Sequence, residues 1–306
     1  MSKKLKDLSL RSFSGIAFVI ILISAIAFSS LTFIFLFLLI LVIGMIEFYD
    51  MASKVKSFPQ KFTGIAIGII LFLLFFLHSI SYISIKIFLL FIPLLTLVFI
   101  SELYRIKKKP FTNIAYTFLG IIYIALPISM LNYFVFDTNI VTAPTANFLN
   151  LEIEPMNNFF NNFYFLSTSP IHITYNPNLL LGFFFLVWAF DTGAYLIGTT
   201  IGRTRLSKKI SPKKSWEGTI GGTIVTFSIA YIISLFYNNI TLVNWFIISF
   251  IIVIMASFGD LVESLFKRSI NVKDSGNILP GHGGILDRFD GILLSAPIVL
   301  IYLELL

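Results

Sequence analysis

Nine runs of apolar residues, at about 13–29, 31–46, 64–79, 84–100, 114–134, 180–198, 218–237, 243–258 and 290–306, constrain this chain more than any other feature. Each comes close to the ~20 residues that an α-helix needs to cross the ~30 Å hydrocarbon core of a bilayer. The chain is 57% hydrophobic and 12% charged, where ordinary soluble domains carry about 25% charge. Lipid must therefore solvate part of the surface, and a backbone in lipid must satisfy its own hydrogen bonds. The expected fold class is all-α: a polytopic integral membrane protein of about nine transmembrane helices. Only Ser29 and Ser30 divide the first two runs, so a tight helical hairpin and a single kinked segment both stay open there. No small-residue cleavage pattern ends this early stretch, and further runs follow at once, so it reads as span rather than leader peptide.

Charge placement sets the orientation. With the N-terminus inside and nine alternating spans, 21 of the 22 Lys and Arg residues fall on inside segments, and Lys86 alone falls outside. The positive-inside rule predicts that asymmetry, so span count and cytoplasmic N-terminus support each other. The net charge of +7 is thus accounted for by topology, and no nucleic-acid partner is expected. The chain has no Cys, which excludes disulfides, thiolate catalysis and Cys-ligated zinc.

The chain divides into an N-terminal scaffold of about five helices (1–136), an extracytoplasmic loop (137–179) and a C-terminal catalytic region (180–306) with inside loops at 199–217 and 259–289. The middle loop is Asn-rich and carries no recognisable chemistry. Twelve of the 18 glycines lie after residue 190, together with most of the acidic residues that face inside.

Three clusters in that region carry the candidate chemistry. In the first, Trp188-Ala-Phe-Asp-Thr-Gly-Ala-Tyr195, Asp191 sits in an apolar span, where a carboxylate is costly unless it meets a cation or a polar cavity. A lone Asp191 that snorkels toward the surface or pairs with a Lys is the bland alternative. The second is the basic loop Gly202–Gly218. Its lysines alone would satisfy the positive-inside rule and meet anionic headgroups, but Ser211, Pro212, Ser215 and Trp216 are not explained by charge. Gly218, Gly221 and Gly222 then open a helix. They suit either phosphate at a helix N-terminus or close helix packing in lipid.

The third cluster spans Gly259–Asp290. On a helix, Asp260, Glu263, Ser264 and Lys267 share one face, and Asp287 and Asp290 share another at the mouth of the last span. Two helix ends can so aim carboxylates at a common point. Hard carboxylate oxygens suit Mg²⁺ held jointly with substrate phosphates, and metal sites of this kind serve phosphoryl and nucleotidyl transfer. Between them Pro280-Gly-His-Gly-Gly284 allows close backbone approach to an anion. His282 could contact phosphate, act as an acid or cap a turn. These residues suggest transfer of a phosphoryl or nucleotidyl group to a lipid, without choosing the nucleotide or the phosphorus attacked.

The segment Ser264 to Asp290, with Lys267-Arg268, Lys273-Asp274, Gly276, Pro280, His282-Gly283-Gly284, Asp287-Arg288 and Asp290, closely resembles the signature of the bacterial phosphatidate cytidylyltransferases (CDP-diacylglycerol synthases). Asp191–Tyr195 and Ser211–Gly218 are similar to further family segments. Ser215 stands where the family more often has Thr, which keeps the hydroxyl. Before residue 180 the likeness is only of type: several spans, with Glu47-Phe-Tyr after an early one. The resemblance implies CTP and phosphatidic acid as substrates, CDP-diacylglycerol and pyrophosphate as products, a homodimer, and a site at the cytoplasmic face of the inner (plasma) membrane. It implies Asp260 and Asp287 as leading Mg²⁺ ligands with Asp290 nearby, and room for a second cation. Lys267 and Arg268 would hold phosphates, and Ser264 would orient a phosphate or a metal-bound water. Asp274, His282 and Arg288 complete the implied catalytic set. Substrate binding would fall to Asp191, Tyr195, Ser211, Lys213, Lys214, Ser215, Trp216, Glu217, Lys273, Gly283 and Gly284. A CTP-dependent lipid kinase of the polyprenol type and a membrane transporter are the competing readings.

Overall fold

The computed structural model describes residues 3–80, 82–136, 175–207, 210–237, 239–272, 274–276 and 283–306, with side chains described from Ser14 onward. Lys273, Pro280, Gly281, His282 and most of the 137–179 loop lie outside the described residues. The rest forms nine helical segments: α1 (Lys3–Phe28), α2 (Ser30–Ser53), α3 (Lys61–Ser79), α4 (Ile85–Leu103), α5 (Pro110–Phe136), α6 (Asn178–Ile201), α7 (Trp216–Phe236), α8 (Leu242–Ser269) and α9 (Leu286–Glu304). Seven of them, α2 to α8, are long and apolar enough to cross a membrane. The apolar part of α1, Ser14–Phe28, is shorter, and α9 carries Asp287, Arg288 and Asp290 in its first turns.

The open question at Ser29 resolves into two helices. The Ser29 hydroxyl accepts the Thr32 amide at 3.3 Å, the Thr32 hydroxyl accepts the Ser29 amide at 3.2 Å, and Thr32 also donates to the Ala25 carbonyl at 2.7 Å. This reciprocal cap satisfies donors of a new helix start and an acceptor of the old helix end. At α5, Pro110 occupies the first turn, where its missing N–H costs nothing, behind Lys109 in the left-handed conformation at φ 60°. Midway along α5 the chain widens into one π-helical turn, Ile121–Ala125.

One face of α2 supplies the centre of the N-terminal core through Phe33, Phe37, Ile40, Leu41, Met45 and Phe48, which recur at helical spacing. Tyr49 completes it. Its hydroxyl donates to the Thr117 carbonyl at 3.0 Å, which only glycine neighbours permit: a Cβ at Gly64 would lie 2.2 Å from that oxygen, and one at Gly120 2.6 Å. Close by, α3, α4 and α5 meet in a buried polar knot around Glu102, which is 4% exposed. Glu102 accepts from Gln60 Nε2 and Asn113 Nδ2 at 2.7 Å each and from Arg105 at 2.8 Å. The Asn113 side-chain Oδ1 in turn accepts the Phe58 amide at 2.7 Å.

The glycines of α6 and α7 serve close packing. A Cβ on Gly193 would come within 3.0 Å of Gly222 Cα, and one on Gly218 within 2.9 Å of Gly198 Cα. Small residues let helix backbones approach where the hydrophobic effect gives no drive. Between α6 and α7 the basic loop forms a short antiparallel hairpin, β1 (Arg205–Ser207) with β2 (Ser211–Ser215). The end of the expected 137–179 loop is also structured. Tyr175 is buried and donates to the Ile26 carbonyl at 2.5 Å, and the Asn176 amide donates to the Val135 carbonyl at 2.9 Å.

Candidate active site

The site is built where α8 and α9 end against each other. Their backbones touch because of glycine: a Cβ on Gly259 would sit 2.3 Å from the Asp290 carbonyl oxygen, and one on Gly291 3.1 Å from the Ala256 Cβ. The shared face expected of α8 is present. Ser264 Oγ donates to Asp260 Oδ1 at 3.3 Å, and Lys267 forms an ion pair with Glu263. Lys267 also donates to Asp287 Oδ1 at 2.6 Å, so one ammonium, 12% exposed, bridges carboxylates from both helices. Asp260 forms an ion pair with Lys214 from the hairpin.

Asp287 is held from every side. Its Oδ2 accepts from the Gly284 amide at 2.8 Å, the Ser275 hydroxyl at 2.9 Å and the Ser275 amide at 3.0 Å. The turn that delivers the Gly284 amide needs Gly283, whose φ is 85° and whose Cβ would lie 2.4 Å from Asp287 Oδ2. That is the left-handed region where only glycine is free of strain. Asp290 accepts its neighbour's Gly291 amide at 2.7 Å and interacts electrostatically with Asp260 and Asp191. Asp191 interacts in turn with Lys214, Asp260 and Arg288. Asp191, Lys214, Asp260, Glu263, Ser264, Lys267, Asp287, Arg288 and Asp290 thus gather at one place.

Other expected residues do different work. Ser215 is buried and caps α7, accepting the Gly218 amide at 3.2 Å, so that donor is already used. Glu217 closes the base of the hairpin, accepting the Arg203 amide at 3.1 Å and the Thr204 amide at 3.0 Å. Arg268 donates to the Val272 carbonyl at 3.4 Å, and the Lys213 carbonyl accepts from Arg205 at 3.4 Å. Ser211 is half-buried, and Lys213 and Asp274 are exposed. Tyr195 and Trp216 are 69% and 53% exposed on the outer faces of α6 and α7.

The carboxylates are hard oxygen donors of the kind magnesium takes. Among the described residues, however, no three His, Asp or Glu side chains are drawn together as a metal-ligand set. The ammonium groups of Lys214 and Lys267 hold Asp260 and Asp287 instead. Glu263 is 1% exposed, and its Oε1 makes no hydrogen bond to a donor among the described residues. A buried orphan oxygen is costly unless something else binds it.

Three residues of this neighbourhood gain their role only from the fold. In the sequence Glu263 stands out only as part of a helix face. Tyr123 lies on the π-helical turn of α5, a feature often found at functional sites. Its hydroxyl is buried without a partner among the described residues and interacts electrostatically with Asp290, Glu263 and Asp260. Glu47 of α2 is 5% exposed and accepts the Leu286 amide at 2.9 Å, the Ile285 amide at 3.1 Å and the Ser275 hydroxyl at 3.3 Å. A carboxylate near the end of an apolar run was the available signal.

The profile of the Cytidylyltransferase family matches residues 9–306. A phosphatidate cytidylyltransferase of Haemophilus influenzae is 46% identical over 135 residues, 41% of this chain and 47% of the relative. One of Rickettsia bellii is 46% identical over 145 residues, 44% and 60% of the two chains. One of Staphylococcus haemolyticus is 40% identical over 182 residues, 59% and 67%. The chain therefore spans about half to two thirds of the length of these relatives. With the profile covering nearly every residue, the chain belongs to the cytidylyltransferase family.

Proposed function

We propose that this protein is a metal-dependent phosphatidate cytidylyltransferase, joining CTP to phosphatidic acid with release of CDP-diacylglycerol and pyrophosphate in phospholipid biosynthesis. The observation that carries this reading is Lys267, a mostly buried ammonium shared by Glu263 and Asp287 where α8 meets α9. One turn away stands a second pair, Lys214 with Asp260. Cations kept charged and oriented by carboxylates are prepared to receive polyphosphate oxygens, and positioning with charge neutralisation is most of what such a transfer requires.

In the proposed reaction a phosphate oxygen of phosphatidate attacks the α-phosphorus of CTP. The new P–O bond forms as the bond to the bridging oxygen breaks, and the electron pair leaves on pyrophosphate. A phosphate monoester is largely dianionic near neutral pH, with a second ionisation at ~6, so the attacking oxygen needs no strong base. Lys214 and Lys267 bind phosphate oxygens, Arg288 adds positive charge beside Asp191, and Ser264 orients a phosphate through its hydroxyl. Bound magnesium, together with a second cation, would supply charge neutralisation to the transferring phosphates. Asp260, Asp287 and Asp290 are the donors suited to hold it.

The basic segments at this end support an orientation with N-terminus and site at the cytoplasmic face of the inner (plasma) membrane, across nine spans. Tyr195 and Trp216 on the outer faces suit the headgroup level, where phosphatidate would enter sideways. The family resemblance supports a homodimer, which light scattering of the detergent complex would measure. Product analysis of purified protein in lipid, with CTP labelled at the α- or γ-phosphorus and phosphatidate as acceptor, tests the reaction itself. α-Label in the lipid fraction and label-free lipid from γ-CTP are expected, in a magnesium-dependent manner. γ-Label in lipid would instead make the protein a kinase.

A further inference from the structure

The first turn of α9 has no cap of its own. Ile285 at its start offers no side-chain hydrogen bond, although a helix begins with orphan backbone donors that need acceptors. The acceptor comes from Glu47, more than 230 residues earlier in the chain. Its Oε2 accepts the Leu286 amide at 2.9 Å and its Oε1 the Ile285 amide at 3.1 Å. A negative charge at this point also opposes the positive end of the helix dipole. The fit is tight: a Cβ on Gly276 would lie 2.3 Å from Glu47 Oε1, and one on Gly284 2.4 Å from Oε2. Two glycines have thus made room for one carboxylate.

Glu47 also reaches Asp287 through a single hydroxyl. Ser275 Oγ lies 3.3 Å from Glu47 Oε2 and 2.9 Å from Asp287 Oδ2, and Asp287 continues to Lys267 at 2.6 Å. Glu47 stands on the N-terminal scaffold, on the same helix as the core residues Met45, Phe48 and Tyr49. Phe48 stacks on Phe266 of α8 at 5.0 Å between ring centroids, which fixes α2 against the other helix of the site.

We infer that Glu47 is a positioning residue: it locks Ser275 and the start of α9 at Ile285 and Leu286 to the scaffold, and so holds Asp287 in register with Lys267. The inference rests on the cytidylyltransferase reading only in naming the reaction that the register serves. A rigid register matters because a displacement of about 1 Å at such a centre costs about a hundredfold in rate.

Glu47→Gln is the discriminating change. The glutamine keeps the shape but offers one oxygen and turns an NH₂ toward backbone donors that need an acceptor. Amide hydrogen exchange of the full-length protein in lipid reads the lock without any substrate. Peptides covering 283–288 should exchange at least tenfold faster in the variant, while those from α3 and the start of α5 keep their wild-type rates. With CTP and phosphatidate, kcat should fall at least tenfold with little change in KM for CTP, because Glu47 is buried and its oxygens are taken by Ser275, Ile285 and Leu286. Unchanged exchange at 283–288 overturns the lock, and faster exchange with unchanged kcat overturns its role in positioning. If wild-type protein converts no CTP while the exchange difference persists, the reaction assigned above fails and the lock stands. Should Glu47→Gln fail to fold, Ser275→Ala carries the same test. It leaves the backbone donors to Glu47 in place, and it should speed exchange at 283–288 and lower kcat, each by about threefold; no change in either overturns the inference.

Discussion

Two buried acidic centres among the described residues are built to opposite ends. Around Glu102, both carboxylate oxygens are taken by Gln60, Asn113 and Arg105, and the knot closes on itself between α3, α4 and α5. Around Glu263 and Asp287, one ammonium serves two carboxylates, glycines bring the backbones into contact, and Glu263 Oε1 is left without a hydrogen bond among the described residues. A satisfied network specifies a structure, whereas a charged centre with spare donors and acceptors is prepared to take something else. The contrast separates a scaffold from a site without appeal to any relative.

Removing one member of each centre tests that contrast. Lys267→Met should have the largest effect. It strands Glu263 and Asp287 beside each other, and breaking a partly buried pair of this kind costs about 3 kcal/mol. Conversion of CTP should drop by about a thousandfold, as when a preorganised charge is removed from a transfer site, and unfolding in detergent should shift to lower temperature. Gly259→Ala comes next. Its Cβ must displace the Asp290 carbonyl oxygen from 2.3 Å, so α8 and α9 move apart, at about 1–3 kcal/mol for overpacking, and turnover should fall about tenfold in a steady-state assay.

Glu102→Gln is the mirror experiment. It removes the acceptor from one of two donors and the partner of Arg105, which should lower stability by about 1–3 kcal/mol. Turnover per folded molecule should remain at the wild-type level. Ser29→Ala should have the smallest effect, about 1 kcal/mol for a lost cap, seen as a small drop in unfolding temperature with no change in activity.

Much of this was readable from residue order, and the reasons for the rest are physical. The spans were visible because their signal is local: twenty apolar residues need no partner to be recognised. The face of Asp260, Glu263, Ser264 and Lys267 was visible for the same reason, since helical spacing fixes it. Glycine at 218 and 222 could not be assigned between packing and phosphate until Gly193 and Gly198 were found against it. The hairpin at 205–215 was hidden in a basic loop whose charge suggested only topology. Glu47 and Glu102 were hidden more deeply, because their meaning lies in partners such as Ile285 and Asn113 that no local pattern announces. Tyr123 needed the π-helical turn of α5, which no residue between 121 and 125 signals.

The most direct test sets the two acidic centres side by side. Transfer of α-label from CTP into phosphatidate, per folded molecule in lipid with magnesium, is measured for Asp287→Asn and for Glu102→Gln. The account predicts no detectable labelled lipid from Asp287→Asn and the wild-type amount from Glu102→Gln. Equal activity in the two variants would contradict it.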